Sequence, residues 1–183
     1  MQLSNYKPDD NISELLKTDL DKGFRLVVEK YSSRLYWHIR RIVILHEDAD
    51  DALQNTFINA WRGMKSFRSE SSLYTWLYTI ATNEALSLIN KRKRNAAISY
   101  DELESFFVNS QEGSTWFDGD EAQVKLQNAI LQLPDKQRIV FNLKYFDEMT
   151  YEDMSKVLKT SEGALKASYH HAVKKIEKII SEG

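Results

Sequence analysis

Between residues 24 and 43 the apolar side chains Phe24, Val27, Val28, Tyr31, Leu35, Ile39 and Ile42 recur mostly at three- and four-residue steps. That spacing lays them along one stripe of an α-helix, whereas a strand would scatter them over both faces. The same periodicity returns in Ala52, Leu53, Thr56, Phe57, Ala60 and Trp61, then in Leu73, Trp76, Leu77, Ile80, Ala81 and Leu88. It returns again in Leu165, Tyr169, Ala172, Ile176 and Ile179. Only 2 Pro and 6 Gly punctuate 183 residues, and β-branched residues nowhere alternate with polar ones over any length. An all-α fold is expected.

The stripes fall into two groups. Three long helices within residues 23–94 can share one core, after an N-terminal segment of residues 1–22. Asp48 in "HEDAD" is a candidate N-cap for the second of these helices. Residues 95–120, "NAAISYDELESFFVNSQEGSTWFDGD", hold no sustained period. So long an irregular stretch inside one compact domain is improbable, and it is expected to be an acidic linker. Residues 121–183 then form a second helical domain. One helix through Val124, Leu126, Ile130 and Leu133 halts at Pro134, which suits the start of the next, carrying Ile139, Val140, Leu143 and Tyr145. The domain ends in a helix-turn-helix: Thr150 and Asp153 resemble a capping box, Met154, Val157 and Leu158 face inward, and "KTSEG" turns into the last helix.

Charge is uneven along the chain. The formal net charge is −2, yet residues 62–94 carry seven basic against two acidic residues, residues 95–123 seven acids and no Lys or Arg, and residues 156–178 six Lys against two Glu. Two basic zones flank an acidic one, and each basic zone suits a polyanion. Several functional classes are excluded. The chain has no Cys, hence no disulfide or thiolate metal site. It has no phosphate-binding Gly loop and no HExxH. Its four His are His38, His46 and the adjacent pair His170 and His171, which point about 100° apart on a helix and cannot form the usual two-His metal face. No enzyme, metal or cofactor is expected. The longest uncharged stretch, "SSLYTWLYTIATN", is too short to span a bilayer, and the N-terminus lacks a signal-peptide pattern, so a cytoplasmic protein without membrane insertion is expected.

The last helix offers a ligand Glu162, Gly163, Lys166, Ala167, His170 and Lys174, opposite its apolar stripe. With Thr160 or Ser161 as N-cap, small residues at the helix start permit close approach to a phosphate, and Lys166 and Lys174 can follow the backbone. A recognition helix in a major groove uses its first two turns for base edges. Alone, this segment fits a DNA reader and a solvated lysine-rich face equally well.

The two halves together are more specific. "DADDALQNTFINAWRGMKSFRSESSLYTWLYTIATNEALSLINKRKR", an acidic linker, and "LQLPDKQRIVFNLKYFDEMTYEDMSKVLKTSEGALKASYHHAV" resemble bacterial RNA polymerase sigma factors of the extracytoplasmic-function type, from about Gly23 to Lys178. The resemblance implies a factor that binds core RNA polymerase, directs it to promoter DNA and opens the −10 element through the first domain, while the second reads the −35 element. Asp48, Asp51, Gln54 and Phe57 match the family's D-x-x-D-x-x-Q-x-x-F helix. The implied polymerase-binding set is Asp48, Asp51, Gln54, Asn55 and Ile58, with Asn55 standing where many members carry an acid.

Phe67, Arg68, Ser69, Glu70 and Ser71 match the loop that captures a base flipped from the −10 strand. Asn83 falls on a matching helical position, and Lys91, Arg92, Lys93 and Arg94 supply cations for phosphates. For the −35 element the implied set is Ser161, Glu162, Gly163, Lys166, Ala167, Ser168, His170, His171 and Lys174. Ser168 and His171 occupy common Arg positions and cannot make bidentate guanine contacts, so an unusual −35 sequence is expected. The family also implies an anti-sigma partner clasping both domains. The competing reading is an autonomous helix-turn-helix regulator that binds duplex DNA without polymerase.

Overall fold

The structure, a computed structural model, describes residues 10–43, 45–65, 67, 72–95 and 121–182, apart from the side chains of residues 10, 93–95 and 121. Eight helices are found among them. α1 (Asp10–Thr18) and α2 (Leu20–Val43) are broken at Asp19, whose carboxylate accepts the Lys22 backbone N–H at 3.1 Å and so caps α2. α1 lies within the segment to which the sequence assigned no element, and it packs on α2 through Ile12, 8% exposed. The crossing is close enough to require Gly23: a Cβ there would sit 2.7 Å from the Leu16 nitrogen. Any side chain at this position would push α1 away.

α3 (His46–Met64) and α4 (Leu73–Asn95) complete the first bundle. Asp48 is not the N-cap of α3. The helix starts one turn earlier, because the Ala49 N–H already donates to the Leu45 carbonyl at 3.1 Å, and no side chain caps it. Asp48 instead joins Glu47 in the first turn, where negative charge suits the helix dipole. Ser72 caps α4, its hydroxyl accepting the Thr75 N–H at 3.1 Å. Val27, Leu35, Ile39, Ile42, Ala52, Ala60, Leu77 and Ala81 are fully buried between α2, α3 and α4. Each of the larger ones contributes about 1.5–3 kcal/mol of burial free energy.

The second domain comprises α5 (Glu121–Leu131), α6 (Asp135–Tyr145), α7 (Tyr151–Leu158) and α8 (Glu162–Glu182). Thr150 caps α7 as the capping-box pattern predicts: its hydroxyl oxygen accepts the Asp153 N–H at 3.1 Å and its O–H donates to the Asp153 carboxylate at 2.8 Å. α7 ends on Lys159 in the left-handed region (φ 50°), and three residues separate it from α8. α6 is buried on nearly every side, with six consecutive residues from Arg138 to Leu143 inside. It serves two cores. Phe141 joins Ala129, Ile130, Leu133, Ala172 and Ile176, while Ile139, Val140 and Leu143, with Met149, Met154, Val157 and Leu165, continue the core of the first bundle. Tyr145, which the sequence grouped with Ile139, Val140 and Leu143, is 51% exposed and stacked on Phe141.

The two domains are thus packed together. α6 lies against α2, and α7 against α4. The Asn142 amide donates to the Arg41 carbonyl at 3.3 Å and the Arg138 guanidinium to the Ile42 carbonyl at 3.4 Å. These are carbonyls of the last turn of α2, which has no helical donors left for them, so the second domain caps a helix of the first.

Candidate functional site

α3 turns one face to solvent. Asp51, Gln54, Asn55 and Ile58 are all exposed, opposite Ala49, Ala52, Thr56 and Ala60, which are fully buried. Sequence periodicity placed Trp61 in the core, but it is 40% exposed and continues this face one turn beyond Ile58, itself 41% exposed. Trp61 meets the Phe24 ring in a T-shaped contact with centroids 5.0 Å apart. An Ile and a Trp three residues apart amid Asp, Gln and Asn form an apolar anchor with a polar rim, the composition of a protein-binding face. Its place three residues after Ile58 and seven after Gln54, on the same helical face, was the signal that could have assigned Trp61 to it.

Asp48 stands apart from that exposed row. It is partly buried and paired with Arg92 across to α4 at 2.6 Å. Burial raises its pKa, and Arg92 opposes the shift. One expected polymerase contact and one expected phosphate contact are therefore engaged with each other.

On α4, Asn83 and Lys91 are exposed. Phe67 is half-buried against the Trp76 ring at 4.9 Å, and Trp76 in turn lies over Gly63, where a Cβ would sit 3.1 Å from the indole. The aromatic pair pins the end of α3 to the start of α4. Arg68, Ser69, Glu70 and Ser71, the linker residues 96–120 and the side chains of Lys93 and Arg94 lie outside the described residues.

α8 presents the face read from its sequence. Ser161, Glu162, Gly163, Lys166, Ala167, His170, His171 and Lys174 are exposed, while Ser168 is half-buried. The Ser161 hydroxyl is 3.4 Å from the Ala164 N–H it caps, and nothing lies within 4 Å of a Cβ built on Gly163. Lys166 leans back to Glu162 at 3.4 Å and over the Tyr151 ring at 5.5 Å. Its ammonium is held near the start of the helix, where the backbone N–H groups also point outward.

A third cluster, which no sequence motif indicated, joins the domains. His38 is fully buried, with Nε2 2.9 Å from the Thr82 hydroxyl and Nδ1 2.9 Å from the Asp147 carboxylate. The Thr82 oxygen also lies 2.7 Å from the Tyr78 carbonyl, so its single hydrogen is shared between two acceptors when Nδ1–H donates to Asp147. The other Asp147 oxygen accepts from Tyr78 at 3.3 Å and from Arg41 at 3.4 Å, and its backbone carbonyl accepts from the Tyr74 hydroxyl at 3.2 Å. Burial, and after it the Asp147 charge, pushes the Tyr74 and Tyr78 phenols above the ordinary tyrosine range.

A helical unit with an acidic, apolar-anchored binding face, joined to a helix-turn-helix with a basic outer face, defines a transcription factor that works on a partner protein and DNA together. Comparison with known proteins gives the family. Residues 27–95 match Sigma-70 region 2 and residues 123–176 match Sigma-70, region 4. The RNA polymerase sigma-H factor of Pseudomonas aeruginosa is 30% identical over 182 residues, covering 94% of this chain and 93% of that protein. The ECF RNA polymerase sigma factor SigW of Bacillus subtilis is 31% identical, covering 91% of this chain and 93% of its own.

Among solved structures, the sigma factor RpoE in complex with the anti-sigma factor NepR from Bartonella quintana shares the fold, with a TM-score of 0.69 and 22% identity over 87% of this chain and 98% of that one. The chain belongs to the extracytoplasmic-function sigma factors of RNA polymerase. Its function is to direct polymerase to promoters, and it performs no chemistry itself. Among the described residues no helix is long and apolar enough to cross a membrane.

Proposed function

We propose that the division of labour follows the three surfaces. Residues 23–94 form the polymerase- and −10-binding domain, and residues 121–183 the −35-binding domain. The exposed row Asp51, Gln54, Asn55 and Ile58, extended by Trp61, docks on core polymerase, with Asp48 contributing from its pair with Arg92. The observation that carries this assignment is the exposure of Ile58 and Trp61 beside those polar groups on an otherwise well-packed helix.

The start of α4 with Phe67 and the loop of residues 68–71 receives the −10 strand, and Asn83, Lys91, Arg92, Lys93 and Arg94 track its backbone. The exposed face of α8 reads the −35 element, with Glu162 able to accept from a cytosine amino group and the Ala164 and Ala167 methyls suited to thymine methyls. The relative RpoE is held by an anti-sigma factor, and a partner of the same kind acting in the cytoplasm fits this chain. Titration of the full chain against core polymerase tests the central assignment. Asp51→Arg and Gln54→Ala should each weaken binding while leaving thermal unfolding in place; unchanged binding for both would reject the α3 face.

A further inference from the structure

Two imidazoles occupy the outward face of α8. His170 and His171 are both exposed, with ring centroids 6.1 Å apart. Successive helix positions diverge by about 100°, so the rings leave α8 on either side of its outward midline. The exposed Lys174 projects between them one turn further on. Three and four residues from either ring, α8 places only Lys166, Ala167, Ser168, Val173, Lys174 and Lys175. No acid lies within a turn of them. Among the described residues neither imidazole forms a hydrogen bond or an ion pair.

The surrounding helices add no anion to this pair. α5, α6 and α7 pack against α8, and their described acids are engaged elsewhere. Asp135 holds Arg138 at 3.1 Å, Glu152 holds Lys156 at 2.8 Å, and Asp153 accepts from Thr75 at 3.0 Å and from Thr150 at 2.8 Å. The other titratable groups that these helices carry are Lys125, Lys136, Lys144, Tyr145 and Tyr151. On α8 itself the acids next in sequence are Glu177, about two turns on, and Glu162, which is shared with Lys166 at 3.4 Å.

With Lys166 tied to Glu162, the fixed positive charge left on this face between Glu162 and Lys174 is that of Lys174. An imidazole gains its charge between about pH 5 and 8, whereas an Arg or Lys in its place would carry one throughout. A phosphate close to the ring favours the protonated form. The DNA-bound chain then holds more protons than the free chain, so affinity rises as pH falls and is lost as pH rises. We propose that His170 and His171 couple −35 binding to proton uptake, so that this sigma factor holds its promoters more tightly in mild acid. The coupling rests on the assignment of the α8 face to the −35 element.

The full chain assembled with core polymerase tests it, the probe being a promoter duplex selected from a random pool by that holoenzyme at pH 7. Wild-type affinity should be roughly tenfold higher at pH 6 than at pH 8. The slope of log K against log salt should steepen at pH 6 by about 0.9 for each imidazolium that meets a phosphate. The double substitution His170→Gln with His171→Gln should flatten the pH profile. His170→Arg with His171→Arg should keep the low-pH affinity at pH 8, which a merely structural role for the rings would not produce. Every variant retains His38 and His46, so their titration and that of the polymerase cancel in the comparison. Lys166→Ala and Lys174→Ala report the α8 face itself. If both weaken binding while the wild type and the Gln variant share one pH profile, the proton coupling is overturned alone. If neither weakens binding, the α8 reading falls and the coupling falls with it.

Discussion

Replacing Ile58 and Trp61 together by Ala tests whether the exposed α3 face is the anchor for core polymerase. Trp61 is 40% exposed. A Trp side chain presents up to about 250 Å², so ~100 Å² remains to be buried, worth ~2.5 kcal/mol at about 25 cal/mol per Å². Ile58 is 41% exposed, and that share of the 1.5–3 kcal/mol for a full burial is about 1 kcal/mol. The sum, about 3.5 kcal/mol, corresponds to a loss of roughly 300-fold in affinity. The rigid-body cost of association is common to both proteins and cancels in the ratio.

Trp61 also packs on Phe24, so the double variant will lose some fold stability. Ile58→Ala alone serves as the control, with an expected loss of about fivefold and no change in melting temperature. The assay is fluorescence anisotropy of the labelled full chain against core polymerase at two salt concentrations. The apolar term should persist at high salt, where the contribution of Asp51 is screened. A double variant that binds within threefold of the wild type, while still folded by circular dichroism, would refute the reasoning.

Three further outcomes follow from local features. Tyr74 and Tyr78 keep their protons in the folded chain at pH values where unfolded tyrosines, with pKa about 10, release them. Their contribution to stability is therefore complete below about pH 10 and falls as pH rises beyond it, by up to ~1.4 kcal/mol per pH unit for each phenol. Urea unfolding between pH 9.5 and 11 should show this slope reduced in Tyr78→Phe, and an equal slope in both proteins would dismiss the buried phenol as its source. Lys159 closes α7 in the left-handed region, a conformation that costs a side-chain-bearing residue about 1–2 kcal/mol. After the added chain entropy of glycine, Lys159→Gly should stabilise by roughly 0.5–1 kcal/mol, raising the melting temperature by a few degrees. Thr150→Ala removes the cap of α7 and should cost about 1 kcal/mol in chemical denaturation.

The helices were legible because burial is periodic. The residues of α2 that repeat at helical spacing, Val27, Tyr31, Leu35, Ile39 and Ile42, are the ones found inside. The Thr150 cap was equally legible, since its side chain and its partner Asp153 are three residues apart and need nothing else. Trp61 was misplaced for the complementary reason. It occupies a helical position compatible with the core, but the bundle closes over Ala60 and Thr56 and leaves the indole at the rim, against Phe24. Period locates a stripe on a helix; the width of the neighbouring helices decides where the stripe ends. For the same reason the exposed surface of α8 could be read directly, because its outer face has no neighbour.

The domain packing was illegible on different grounds. Asp147 and His38 are 109 positions apart, and in the sequence one is an acid in a turn and the other a histidine on an apolar helix. Neither forms a motif. What betrays the contact in retrospect is surplus. Six consecutive buried residues on α6, Arg138 and Asn142 among them, are more than one small domain of four helices can enclose. Ile139, Val140 and Leu143 need a second core, and the polar pair needs carbonyls that α6's own domain does not provide. The end of α2 supplies both. A run of consecutive buried residues on one helix, in a domain too small to surround it, is thus the sign of a docking partner. In this chain that partner is the end of α2 in the first domain.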